Sequence, residues 1–473
     1  MLLFIIGIII LFVGYFTYGK FVDNVFGADE NKETPATRIN DGVDFVPMSW
    51  GKIFLIQLLN IAGLGPIFGA IQGALFGPAA FVWIALGSVF AGGVHDYFSG
   101  MLSVRHDGKS ISEIVGIYLG DGAKKVMRVF SVVLLILVGT VFMTGPADLM
   151  ANLKLFGIGS MTTWLAIVLA YYFLATILPV DKIIGKIYPL FGVALLTMAG
   201  GIGGMLIIKG YELPAFTMAS LHPKNLPVWP MLFVTIACGA ISGFHATQSP
   251  MMARCMTNEK YGRKIFYGSM IAEGVIAMIW AAAGMVFFGG IPQLGEALNT
   301  LGGPGGVVNE ISVSLLGTIG GVLAMLGVIA CPITSGDTAF RSARLTIADA
   351  IDYDQGPIKN RLLLALPLFA IGFGLTRIDF NIIWRYFAWS NQALATIVLW
   401  ASAVYLVKFN KSHWMATVPG TFMTAVSVTY ILMAPEGFRL STAISYPIGI
   451  VSAVLALAVF LVKTNKGKSH QEA

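Results

Sequence analysis

A few clusters of polar side chains in this chain have the types and spacing to do chemistry. His95-Asp96 sets a proton-binding ring beside a carboxylate, and His245 closes the run Cys238-Gly239-Ala240-Ile241-Ser242-Gly243-Phe244. Gln248 and Ser249 follow about one helical turn later, and Glu273 stands alone in an apolar stretch. Asp337 has Thr334, Ser335 and Thr338 around it, and Arg341 and Arg344 follow at helical spacing, placed to pair with it. Carboxylate and hydroxyl oxygens of that kind suit Na⁺, whereas a desolvated carboxylate suits H⁺. Asn391-Gln392 offers amide donors and acceptors that match a substrate bearing carboxylate and peptide groups, or that tie two helices together. His95, Asp96 and His245 are also able to converge on a metal ion.

The elements that must position these groups are membrane helices. Of 473 residues 56% are hydrophobic and 11% charged, against about 25% charged in an ordinary soluble domain. The mean hydropathy is +0.80. So few charges cannot solvate a globule of this size, which excludes a soluble enzyme, a disulfide scaffold and a disordered chain. The net charge of +6 carries no nucleic-acid signal, because the basic residues sit in short loops between apolar runs. The three cysteines suggest no disulfide framework. The first apolar run has no basic residue ahead of it and no small-residue cleavage site, so it reads as a retained span.

Taking about 20 apolar residues per crossing gives an all-α polytopic protein with about 13 spans. They fall near 1–18, 52–77, 79–104, 127–150, 162–179, 187–208, 229–250, 266–290, 311–335, 362–377, 382–406, 413–433 and 443–462. The segment 106–126 reads as a short amphipathic cytoplasmic helix. With the N-terminus outside and the C-terminus inside, 24 of the 30 Lys and Arg residues fall in cytoplasmic segments, as the positive-inside bias requires.

Two spans are interrupted alike. The first holds Asn60-Ile61-Ala62-Gly63-Leu64-Gly65-Pro66 and the second Cys238 through His245, each about ten residues after its span begins. Unwound backbone at membrane depth is tolerated only where it is buried or lines a cavity. Five spans start at each break, at 52–208 and 229–406, and an odd number inverts the second set relative to the first. The expected architecture is an inverted 5+5 repeat, with an extra span and loop at 1–51 and two extra spans and a tail at 407–473. Transporters of this plan hold substrate and coupling ion near the midplane. Gly63, Gly65, Pro66, Ser242, Gly243, His245, Gln248, Asn391 and Gln392 are then candidates to bind substrate, and Asp96, Glu273, Thr334, Ser335, Asp337 and Thr338 to couple an ion. An intramembrane enzyme would instead cluster its catalytic set in one half, and a channel would conduct without accumulating its solute. No catalytic residue set, cofactor motif or nucleic-acid partner is expected.

The stretches Asp41-Gly42-Val43-Asp44-Phe45-Val46-Pro47, Ala62 through Gly69, Asp96 with Ser103 through Ser110, and Ser242 through Thr247 together resemble the carbon starvation protein A family of bacterial inner-membrane transporters. This likeness continues through Pro332 to Arg341, where Gly336 stands in place of a bulkier residue, and through Ser390 to Ala395. The resemblance implies a LeuT-like core for the 5+5 repeat and ion-driven uptake of short peptides, or of pyruvate or an amino acid in a related branch, coupled to H⁺ or Na⁺. Its partners would be that peptide or small carboxylate and the membrane lipid, with the oligomeric state left open.

Overall fold

A computed structural model describes residues 1–42, 44–177 and 181–469, with the side chains of 181–189 and 465–469 outside that set. Residues 178 and 179 of the span expected at 162–179, the side chains of the basic segment 180–186 and the last residues of the tail therefore lie outside the described residues.

Every span expected from the apolar runs coincides with a helix or a helix pair. α1 is Leu2–Phe26; α2, Trp50–Ala62, and α3, Gly65–Phe76, form one crossing bent by 53°. α4 is Ala79–Arg105, α5 is Ile111–Leu119, α6 is Asp121–Asn152, α7 is Met161–Ile177 and α8 is Asp181–Ile208. α9, Val228–Thr235, and α10, Gly243–Ala253, are the two halves of the second broken crossing. α11 is Glu259–Val286, α12 is Ile291–Thr300, α13 is Pro304–Ala350, α14 is Ile358–Leu375, α15 is Phe380–Lys408, α16 is Trp414–Met433 and α17 is Thr442–Ser469. Ten of the described helices are individually long and apolar enough to cross a membrane, and the α2–α3 pair makes eleven. The expected crossings at 162–179 and 229–250 correspond to the shorter α7 and to the α9–α10 pair.

α11 is buried along most of its length and lies at the centre of the bundle, touching α1, α2, α4 and α8. α6 runs along α13 and α15 on the other side. α17 leaves Ile448, Val451, Val454, Leu455, Val459 and Val462 exposed, the apolar face that lipid chains cover. α5 is the short amphipathic helix expected within 106–126, shorter than that segment, and a Ser110–Glu113 capping box starts it.

The helix that contains the expected span 311–335 is longer than that span. α13 runs to Ala350 and bends at Gly317, where φ is +62°. Ser335, Asp337, Ala339, Phe340, Ala343 and Arg344 form its buried face, so this stretch continues as helix packed inside the bundle. Polar residues interrupt the hydropathy there, but their 3.6-residue spacing turns them onto α6. Gly336 has a packing cause, since a Cβ there would lie 2.1 Å from Tyr172 Oη of α7.

Candidate functional site

The two breaks meet. Gly65 packs so closely on the second break that a Cβ would sit 2.2 Å from Cys238 Cβ, and Gly239 (φ +93°) lies over Pro66. Both positions need glycine, one for contact and one for a left-handed backbone. Breaking α9 frees carbonyls that no helical amide reaches, and side chains from neighbouring helices take them up. Trp83 Nε1 donates to Ile236 O at 2.8 Å, Ser88 Oγ to Gly239 O at 2.8 Å, and Gln392 Nε2 to Phe233 O at 2.8 Å. Asn391 Oδ1 accepts from Ser242 Oγ and from Phe244 N, both at 2.8 Å, and so caps the start of α10. Asn391 and Gln392 therefore work as interhelical ties to the second break.

At the first break Leu59 is in the last turn of α2, where its carbonyl has lost its helical partner. Ser335 Oγ of α13 donates to it at 3.2 Å. Thr334 Oγ1 turns back to Cys331 O and Thr338 Oγ1 to Thr334 O, while Asp337 pairs with Arg341 at 3.5 Å. Gln57 Nε2 donates to Ser249 Oγ at 3.2 Å, and Gln248 Nε2 to Thr247 Oγ1 at 2.9 Å.

His95, Asp96 and His245 do converge, as hydrogen-bond partners. The Nδ1 of His95 lies 2.7 Å from Asp96 Oδ1 and that of His245 lies 2.8 Å from Asp96 Oδ2, with all three side chains sealed from solvent. Glu273 of α11 faces the opposite edge of the His245 ring, its Oε2 3.3 Å from Nε2. Asp96, His245 and Glu273 thus link α4, α10 and α11 across three sequence-distant segments.

A cavity of about 1100 Å³ opens at the end of the bundle whose loops carry few Lys or Arg residues. Phe68 and Thr235, each beside a break, form part of its floor, and Gln72, Thr144, Trp384 and Ala388 line its wall. Asp148, Glu296 and Asp379 face it, as do Lys224 and Arg385. Arg385 Nε is held at 3.0 Å by buried Glu436, from the loop after α16. None of the nine residues singled out for substrate binding lines this cavity; they are packed around the breaks next to its floor. Its charged rim had no signal in the sequence, because these residues lie at helix ends where charge is ordinary. At the other end Arg105 closes on Glu259 with contacts of 2.6 and 2.7 Å, and Asp29 N donates to the same carboxylate at 2.9 Å.

Two broken helices crossing at the centre of an all-α bundle define the LeuT-like fold of secondary transporters. The chain superposes on MhsT, solved with L-phenylalanine, with a TM-score of 0.54 at 15% identity, covering 87% of this chain and 98% of that one. A manganese transporter of Eremococcus coleocola gives 0.53 at 13% identity, covering 88% and 95%. The chain belongs to the carbon starvation protein CstA family, whose model matches residues 1–154 and 147–287. It is 44% identical over 350 residues to an uncharacterized membrane protein of Haemophilus influenzae, covering 63% of this chain and 94% of that one. It is 26% identical over 558 residues to the peptide transporter CstA of Escherichia coli, covering 89% and 79%. The pyruvate/proton symporter BtsT of the same organism is 27% identical over 356 residues, covering 61% and 49%. The family and the structural neighbours are transporters, not enzymes.

Proposed function

We propose that the protein imports short peptides across the bacterial inner membrane by alternating access, driven by an inward H⁺ or Na⁺ gradient. The observation that carries this is the cavity that runs from one end of the bundle to Phe68 and Thr235 beside the two breaks, while Arg105 and Glu259 are paired at the other end. With the N-terminus outside and the C-terminus inside, the open end faces outward and the chain is poised to accept substrate. Carboxylates and cations share the cavity wall, which suits a zwitterion: Arg385 and Lys224 for its carboxylate, Asp148, Glu296 or Asp379 for its amine. A cavity of this volume holds more than a single small acid. The relatives named as a peptide transporter and a pyruvate/proton symporter support a carboxylate-bearing substrate and a coupling ion.

In the occluded state the substrate would settle onto the breaks at Gly63–Pro66 and Ser242–His245, its carboxylate toward a half-helix N-terminus. The coupling cation would lie between the freed carbonyls ending α2 and the hydroxyls of Thr334, Ser335 and Thr338, with Asp337 nearby. Asp96 is a poorer cation site, since both its oxygens already accept from histidines. Residues 52–208 and 229–406 would be the two repeats that rock, with 1–51 and 407–473 as flanking spans.

The test is uptake of a labelled dipeptide into proteoliposomes under an imposed inward proton or sodium gradient, with unlabelled pyruvate as competitor. Accumulation that collapses with one of the two gradients and ignores pyruvate is expected, and Ser335→Ala should abolish its dependence on that ion. Accumulation of labelled pyruvate but not of dipeptide would overturn the substrate. Uptake that only equilibrates, with either ion, would overturn the coupling.

A further inference from the structure

We propose that Cys238 Sγ, His245 Nε2 and the Glu273 carboxylate form a resident site for a divalent transition-metal ion of the zinc class. The donor atoms of these three residues all lie within 4.8 Å of one another. Cys238 is 2% exposed, and His245 and Glu273 are fully buried. His245 Nε2 and both oxygens of Glu273 have no hydrogen-bond partner, although Nε2 and Oε2 are only 3.3 Å apart. That 3.3 Å contact is an ion pair when the ring is protonated, and with a neutral ring it is the spacing of two ligands on one ion. With metal–ligand distances of about 2.0–2.2 Å and a tetrahedral angle, a nitrogen and an oxygen sit about 3.3–3.5 Å apart. Cys238 Sγ donates to Ser242 Oγ at 3.3 Å and would turn from that hydroxyl to take its place on the ion, at a sulfur–metal distance of about 2.3 Å.

The surroundings agree with the assignment. A ligating histidine usually donates its other ring N–H to a carboxylate, which fixes the tautomer and raises the basicity of the ligating nitrogen. Asp96 Oδ2, 2.8 Å from His245 Nδ1, is placed to do this, and His95 holds the other oxygen of Asp96. A thiolate and a carboxylate neutralise a divalent ion inside an apolar bundle, and the proton of Cys238 leaves to solvent as the ion binds. Thiolate with imidazole selects borderline and soft metals over Mg²⁺ or Ca²⁺. None of the three ligands lines the outer cavity, so the ion is a fixture and not cargo. It would join both sides of the second break, Cys238 before it and His245 after it, to Glu273 of α11.

The whole protein, purified in detergent without a histidine tag or chelator, is analysed for metal by mass spectrometry, as isolated and after dialysis against Zn²⁺. About one ion per chain is expected in at least one of the two samples. Cys238→Ser and Glu273→Gln should each retain less than about a tenth of it, while Cys255→Ser keeps it. Should those variants fail to fold, Co²⁺ loaded into the unaltered protein reports directly, through a thiolate-to-cobalt absorption band. Less than a tenth of an ion per chain after dialysis, roughly, a cobalt complex without thiolate absorption, or undiminished metal in Cys238→Ser would overturn the site. Uptake is measured separately, so a failure here leaves the transport proposal where it stands.

Discussion

Gly65→Ala tests whether the two breaks must touch. The new methyl would lie 2.2 Å from Cys238 Cβ and 2.5 Å from its sulfur. Ordinary carbon contacts begin near 3.4 Å, so the breaks must separate by about 1.2 Å. Neither side yields cheaply, because the obstacle is a Cβ fixed to the backbone and not the tip of a flexible side chain. Overpacking of this kind costs about 1–3 kcal/mol. The functional loss should be larger than the loss of stability, since a displacement near 1 Å at a positioned site can cost about 100-fold in rate. We expect the apparent Tm in detergent to fall by a few degrees and initial dipeptide uptake to fall roughly 10- to 100-fold at equal reconstitution. Gly204→Ala is the control: it adds a methyl to helix α8 with nothing within 4 Å, so it should be neutral or stabilising by up to about 1 kcal/mol. Uptake by Gly65→Ala within twofold of that control would refute the idea that contact between the breaks organises the site, roughly.

Asn391→Ala strands the Ser242 hydroxyl and the Phe244 amide together, so unfolding in detergent should register a loss of about 2–4 kcal/mol. A loss below about 0.5 kcal/mol would mean that other groups cap α10. Arg385→Gln should raise the KM for a dipeptide about tenfold or more and leave uptake of its C-terminally amidated analogue unchanged. Equal losses for both would remove Arg385 from carboxylate recognition. Glu259→Gln replaces a nearly buried carboxylate that accepts from both Arg105 and Asp29, so it should favour opening at that end of the bundle. Labelling of Cys255 by a thiol reagent, followed by peptide mapping, should then rise about 5- to 10-fold, and unchanged labelling would show that the pair does not hold that end closed.

What the sequence discloses follows from which signals are local. Apolar runs and the paired interruptions at Gly63–Pro66 and Cys238–His245 locate the crossings, because length and helix weakening act within a few residues. The length of α13 is not legible in the sequence, since Ser335, Asp337 and Arg344 lower the hydropathy although they turn inward on one helical face. His95, Asp96 and His245 were legible as costly intramembrane groups. Cys238 reads in the sequence as the start of the second interruption, and nothing local shows that it lies near Glu273. The cavity rim was not visible either: Lys224, Asp148 and Arg385 acquire a common surface only after the helices pack. Gln392 and Asn391 carried two meanings at the outset, and their bonds to Phe233 O and Phe244 N now favour the tying role.

The Asp96–His245 contact also sets a clock on assembly. The two residues are 149 positions apart. At about 5–20 residues per second, Asp96 is made some 7–30 s before its partner exists. Throughout that interval α4 carries a carboxylate with only His95 beside it, in or next to the lipid. The nascent first half therefore has reason to linger near water or the insertion machinery until the second half arrives. Chains arrested before residue 245 should be recovered as incompletely integrated intermediates, open to degradation, and those arrested after 273 as stable ones.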